Sequence, residues 1–167
     1  MQKTPDFQMP IITERLLIRP PEIEDVKILN DAIIESFNEL HFWMAWAKEK
    51  QTLQQTEEYI RSSIKNWVEK KNDEPYLPLS IFDRHTNEFI GAAGFHHFNW
   101  DIPSIETGYW IRTSYSGKGM MTEAINAHTR YALTFLKMKK IIITCDPDNI
   151  SSRKIPERLG YTLESIL

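Results

Sequence analysis

Residues 115–124 read Tyr115-Ser116-Gly117-Lys118-Gly119-Met120-Met121-Thr122-Glu123-Ala124, and this stretch decides the fold. Two glycines one residue apart stand between a strand-like run at 105–111 and the start of a periodic helix. Glycine tolerates φ > 0 and lets backbone N–H groups approach a ligand with no Cβ in the way. A helix amino terminus adds unsatisfied donors and roughly half a positive charge, which suits the segment to a phosphate or pyrophosphate. Spacing alone leaves a second reading open, because a tight strand-to-helix turn needs glycine for steric reasons. Two common nucleotide loops are excluded. The P-loop has four residues between its glycines and then Lys-Ser/Thr, and the dinucleotide fingerprint has a third glycine where Thr122 stands.

On the carboxyl side, Met121, Ala124, Ile125, Ala132, Phe135 and Leu136 share one face and predict a long amphipathic helix. Residues 141–144 are short, β-branched and apolar on both faces, the pattern of a strand buried in mid-sheet. Residues 151–159 predict one more helix, closed by Gly160. On the amino side, 105–111 predict a strand, preceded across polar residues and Pro103 by a hairpin of 77–82 and 89–93 around the polar turn 83–87. Leu16 and Ile18 mark a first strand within 13–19, stopped by Pro20-Pro21. Ile23, Val26, Leu29 and Ile33 recur at helical spacing. Thr52 and Gln55 form a capping-box pattern ahead of the face Leu53, Thr56, Ile60, Ile64, Trp67 and Val68. Between these helices the aromatic cluster Phe37, His41, Phe42, Trp43 and Trp46 reads as a loop or short helix.

A chain of 167 residues, 41% apolar and 26% charged, is expected to fold as a single domain. Its net charge of −3 offers no basic stripe for a phosphate backbone, so no nucleic-acid partner is expected. No run approaches the roughly 20 apolar residues that span a bilayer, and residues 1–10 hold no apolar signal core. A cytoplasmic location with no membrane partner is therefore expected. Cys145 stands alone, which excludes an internal disulfide framework and a multi-cysteine zinc site. The histidines, including adjacent His96 and His97, lack the spacing of a metal motif and read as a half-exposed strand pair, so no metal is expected.

The strand, Gly117-Lys118-Gly119 and Glu123-Ala124 together resemble the acetyl-CoA pyrophosphate loop of the GNAT superfamily, usually written Gln/Arg-x-x-Gly-x-Gly/Ala. Ser114 stands where many members carry Gln or Arg. Three further blocks resemble the branch of ribosomal-protein N-acetyltransferases of RimJ/RimL type: Thr13-Glu14-Arg15-Leu16-Leu17-Ile18-Arg19-Pro20, Glu106-Thr107-Gly108-Tyr109-Trp110-Ile111, and Asn149-Ile150-Ser151-Ser152 leading into Glu157-Arg158-Leu159-Gly160-Tyr161. The resemblance implies an α/β (α+β) fold, a mixed and largely antiparallel central sheet flanked by helices, with a splayed strand pair holding the cofactor. It implies an acetyl-CoA-dependent N-acetyltransferase that works by direct attack in a ternary complex, the expected acceptor being the N-terminal α-amine of a protein. A small amine as acceptor, or a non-catalytic acyl-CoA-binding module, are the alternatives.

The resemblance also distributes roles. Trp110, Ile111, Arg112, Gly117, Lys118, Gly119, Met120, Met121, Thr122 and Asn149 are the expected cofactor-binding residues, with a backbone N–H near Trp110 or Ile111 polarising the thioester. Glu106 is the expected proton acceptor, its pKa raised by aromatic surroundings; a plain surface glutamate is the other reading. Ser152 is the expected acid for the departing sulfur, or a helix cap. His41, Trp43 and Trp46 are expected to wall the acceptor site, or to serve as core or dimer contacts. Cys145, with no histidine partner to activate it, is expected to be a buried structural thiol.

Residues 160–167 are expected to enter a strand, and the family's last strand is expected to be lacking. Such an edge invites pairing, so the expectation is a homodimer that fills it or a carboxyl-terminal segment paired with the strand at 141–144.

Overall fold

The computed structural model describes residues 6–70 and 75–166. Residues 1–5 of the amino-terminal stretch, and Leu167 of the expected last segment, lie outside the described residues. The chain runs β1 (Ile11–Ile12), β2 (Leu16–Arg19), α1 (Val26–Glu35), α2 (Phe37–Trp43), α3 (Leu53–Glu69), β3 (Ser80–Asp83), β4 (Phe89–Ala93), β5 (His96–Asn99), β6 (Ser104–Thr107), β7 (Tyr109–Ile111), α4 (Met120–Arg130), β8 (Lys140–Ile143) and α5 (Ile150–Arg158). An antiparallel sheet has the order β1-β2-β3-β4-β7, and a second has the order β5-β6-β8 with β6 and β8 parallel.

The sequence patterns explain the elements. The Thr52 Oγ1 accepts from Gln55 N at 3.1 Å and Gln55 Oε1 from Thr52 N at 2.9 Å, so both halves of the capping box form and α3 starts where expected. One core joins Leu16, Ile18, Ile81 and Ile90 of the sheet to Ala124 and Ile125 of α4. On the other face Leu29, Ala32, Ile33 and Ile60 of α1 and α3 meet Phe82 and Phe89. Each fully buried large side chain contributes about 1.5–3 kcal/mol, so helix faces and sheet faces select each other.

Several expectations change. The run 105–111 is two strands: β6 pairs with β8 from Ser104↔Lys140 to Thr107↔Ile143, and after Gly108 the chain leaves β8 and pairs with β4 as β7. Residues 141–144 do not lie in mid-sheet, because β8 pairs with β6 alone among the described residues and Ile141–Ile143 are only half-buried. Cys145, just past this edge, is exposed rather than buried. Residues 161–166 form no strand and pair with neither sheet. Side chains tether them instead: the Tyr161 hydroxyl bonds Thr129 Oγ1, and Lys140 Nζ donates to Glu164 at 2.6 Å.

Candidate active site

The glycine loop is held from a distance. Gly117 and Gly119 adopt φ of 77° and 74°, the left-handed region that the loop requires. A Cβ on Gly117 would meet nothing within 4 Å and one on Gly119 only the Arg15 guanidinium at 3.7 Å, so the loop is open outward. Gly119 is the N-cap of α4, and the first N–H groups of that helix have no intrahelical acceptor. Beneath them Glu123 accepts from Thr13 Oγ1 at 2.6 Å, Arg15 N at 2.9 Å and Arg15 Nε at 2.7 Å, while Arg15 Nη1 donates to the Lys118 carbonyl at 3.0 Å. Burial pushes the Glu123 carboxyl up, but these donors outweigh it and hold it below its usual range. Thr13, Arg15 and Glu123 were missing from the expected site; their presence in two of the quoted blocks was the available signal.

The splayed pair is present. β7 pairs with β4 alone and β8 with β6 alone among the described residues, so the two strands part into separate sheets and the other edge of β7 has no ladder partner. Trp110 and Ile111 lie on this strand as expected. Tyr109 bridges the gap, its hydroxyl donating to the Ser152 carbonyl at 2.7 Å. Asn149 caps α5 by accepting from Ser152 N at 3.3 Å, so the capping role belongs to Asn149 and the Ser152 side chain is not the cap. Arg112 directly follows β7. Its guanidinium is committed to Glu35 through two bonds of 3.0 Å, and Ser114 N and Oγ also donate to Glu35, at 3.3 and 3.0 Å. That ion pair shapes the turn into the loop. Although Cys145 is exposed, partial desolvation by its neighbours raises its thiol above its ordinary pKa, which disfavours the nucleophilic thiolate.

Glu106 is 15% exposed and sits among polar partners rather than aromatic ones. His97 Nδ1 lies 2.7 Å from its Oε2, Thr144 Oγ1 donates to its Oε1 at 2.7 Å, and His96 Nε2 stands 3.8 Å from Oε1. The expected upward pKa shift is not found. Burial pushes the carboxyl up, but the bonds from His97 and Thr144 and the nearby imidazoles hold it below its usual range. His96 is pushed down by burial, against the pull of Glu106.

A cavity of about 350 Å³ opens on the α1 and α3 side of the sheet, walled by Gly108, Tyr109 and Trp110 of the splayed strand and by Trp46, Tyr59 and Tyr76 opposite. His96 also lines it, which places an imidazole between the cavity and Glu106. Of the expected acceptor residues only Trp46 reaches the wall, its ring 6.2 Å from that of Trp110. His41 is instead exposed, stacked on Phe37 at 5.1 Å with Nδ1 2.9 Å from the Ala47 carbonyl, and Trp43 packs edge-on to Phe42 at 4.5 Å. Among the described residues the lining contains no Asp or Glu. Tyr59 and Tyr76 come from the interior of α3 and the segment before β3, where helical spacing and a loop position give no sign of a shared wall.

Comparison with known proteins matches this geometry. The acetyltransferase (GNAT) domain model matches residues 15–162. A Bacillus subtilis protein provisionally named a ribosomal N-acetyltransferase, YdaF, is 26% identical over 92% of this chain and 81% of its own. The [Ribosomal protein uS5]-alanine N-acetyltransferase of Escherichia coli is 27% identical over 92% of this chain and 78% of its own. The structure of RimL, a ribosomal L7/L12 alpha-N-protein acetyltransferase in complex with coenzyme A, superposes with a TM-score of 0.82 at 20% identity, covering 94% of this chain and 86% of that one. The glycine loop, the splayed strands and the matched span agree, and the chain belongs to the GNAT acetyltransferase family, as an acetyl-CoA-dependent N-acetyltransferase.

Proposed function

We propose that the protein acetylates the N-terminal α-amine of a protein, of the ribosomal-protein type, within one N-acetyltransferase domain in the cytoplasm. The observation that carries this reading is the aromatic cavity beside the splayed strand, to which the described residues contribute no carboxylate. A polyamine or aminoglycoside carries several ammonium groups and would be bound by several carboxylates, whereas an amino terminus presents one amine and a largely neutral chain. The relatives named for ribosomal acceptors favour the same class.

The N–H groups of residues 117–122 would hold the cosubstrate's pyrophosphate, and the free edge of β7 would pair with its pantetheine amides. Bound there, acetyl-CoA supplies an activated thioester. A backbone N–H at Trp110 or Ile111 stabilises charge on the thioester oxygen, worth about two to three orders of magnitude in comparable sites. Glu106 acts with the imidazoles beside it. A carboxylate held below its usual range is a weak sink for an ammonium proton, so His96 and His97 pass the proton from the amine, and Glu106 stabilises the imidazolium formed. Ser152 protonates the departing sulfur from the start of α5. The edge of β8 without a ladder partner among the described residues is where a second copy would pair.

The test is incubation of a cell extract with the enzyme and isotope-labelled acetyl-CoA, with mass spectrometry of proteins and small molecules. Label on protein α-amines is expected. Label confined to small amines or to lysine side chains overturns the acceptor.

A further inference from the structure

We propose that His96, His97 and Glu106 form a binding site for a first-row divalent transition metal, with Zn²⁺ the fitting ion, and that its occupancy switches acetyl transfer off. The three residues offer ligand atoms that all lie within 4.8 Å of one another.

Regular strand geometry would forbid this cluster. Successive side chains on a strand point to opposite faces, so two adjacent histidines cannot both address one carboxylate on the neighbouring strand. Here the register of β5 against β6 shifts between His96 and Asn99. His97 has φ of 49°, a left-handed conformation that costs a residue with a Cβ about 1–2 kcal/mol. Together these irregularities bring both imidazoles to Glu106, with His97 Nδ1 at 2.7 Å and His96 Nε2 at 3.8 Å from its oxygens. Strain of this kind persists where the surroundings over-determine it and clusters at functional sites.

The donor set selects the ion. Two imidazoles and one carboxylate suit zinc and its neighbours, while Mg²⁺ and Ca²⁺ demand oxygen ligands. Zinc ligands stand about 2 Å from the ion and about 3.3 Å from one another in a tetrahedron, so the cluster closes by small side-chain rotations. Burial favours the neutral, lone-pair form of His96. Thr144 Oγ1, donating to Glu106 Oε1 at 2.7 Å, is the outer-shell partner that orients a ligating carboxylate. Glu106 has no Lys or Arg partner among the described residues, so no cation of the protein competes.

Each imidazole coordinates through an unprotonated nitrogen, so binding competes with protons. The ion then holds the lone pairs that would receive the amine proton. The inhibition rests on the Glu106 assignment above, whereas the binding does not.

Metal-stripped protein titrated calorimetrically with ZnCl₂ alone, without CoA, should bind one ion per chain. H97N is suited to the left-handed position, and E106Q keeps the side-chain shape. Each should weaken binding by more than the roughly 10–100-fold that loss of an outer-shell partner costs. C145A, which removes the exposed thiol, should bind as the wild type does. Circular dichroism checks that each variant is folded, and E106Q suffices if H97N is not. Zinc should also suppress wild-type turnover, with recovery on adding EDTA. Absence of saturable binding, binding that E106Q leaves intact, or binding that C145A abolishes would overturn the site. Binding with undiminished turnover would leave the site standing and overturn both the inhibition and the Glu106 assignment.

Discussion

Arg15 and Glu123, 108 positions apart in the chain, meet with Nε 2.7 Å from Oε1, and through Arg15 Nη1 the pair grips the Lys118 carbonyl between the two loop glycines. The loop is thus braced from the turn between β1 and β2 rather than by its own residues. Glu123→Gln should leave the fold intact and weaken acetyl-CoA binding by about 1–2 kcal/mol, roughly five- to thirtyfold. Equilibrium binding of CoA measures it, and wild-type affinity would show that the brace is dispensable.

Gly119→Val separates backbone from bulk. A Cβ at Gly119 has room, but φ of 74° is unfavourable for a β-branched residue. The expected outcome is a folded protein that no longer binds CoA detectably, because the loop must leave the conformation that points its N–H groups outward. Unchanged affinity would remove residues 117–122 from the phosphate site.

Glu106→Gln should lower kcat about a hundredfold with CoA affinity retained. The deficit should grow as pH falls, where more of the acceptor is protonated. It should be smaller for an α-amine, with pKa about 8, than for a lysine amine at about 10.4. A pH–rate profile on a peptide acceptor decides this; coincident profiles would make Glu106 a structural residue.

Asn149 and Ser152 divide two roles that either could have filled. Asn149→Ala should destabilise the protein by about 1 kcal/mol through loss of the α5 cap. Ser152→Ala should change stability by less than about 0.5 kcal/mol yet slow the chemical step. Thermal melts beside single-turnover kinetics test both, and a full-speed Ser152→Ala turnover would end its role as the acid.

His128 is fully buried against Phe95, with no hydrogen-bond partner for either ring nitrogen among the described residues. Burial pushes its pKa down to about 4. The unfolded chain takes up a proton below about 6.5 while the folded one resists until about 4, so stability is full above 6.5 and falls with pH across that window. At pH 5 the loss is about 2 kcal/mol. Denaturant midpoints at pH 7 and pH 5 should separate for the wild type and converge for His128→Leu; equal separation in both would assign the pH dependence elsewhere.

Periodicity and local chemistry sufficed for α3 with its capping box, for the β3–β4 hairpin, for α4 behind its glycines and for α5 with Asn149 ahead of it, because each is decided within one or two turns of chain. The glycine loop was legible for the same reason. What contacts that loop was not, since Arg15 and Glu123 come together only when β2 packs beside α4. The break at Gly108 carries no local signal either; it arises because β6 finds β8 while β7 finds β4, a choice of partners made across the sheet. Likewise the sequence places His96, His97 and Glu106 on strands, but alternation predicts that the two histidines face apart. Only the register shift and the left-handed turn at His97 bring them onto one carboxylate, whose pKa then follows its hydrogen bonds rather than the burial anticipated from its neighbours in sequence.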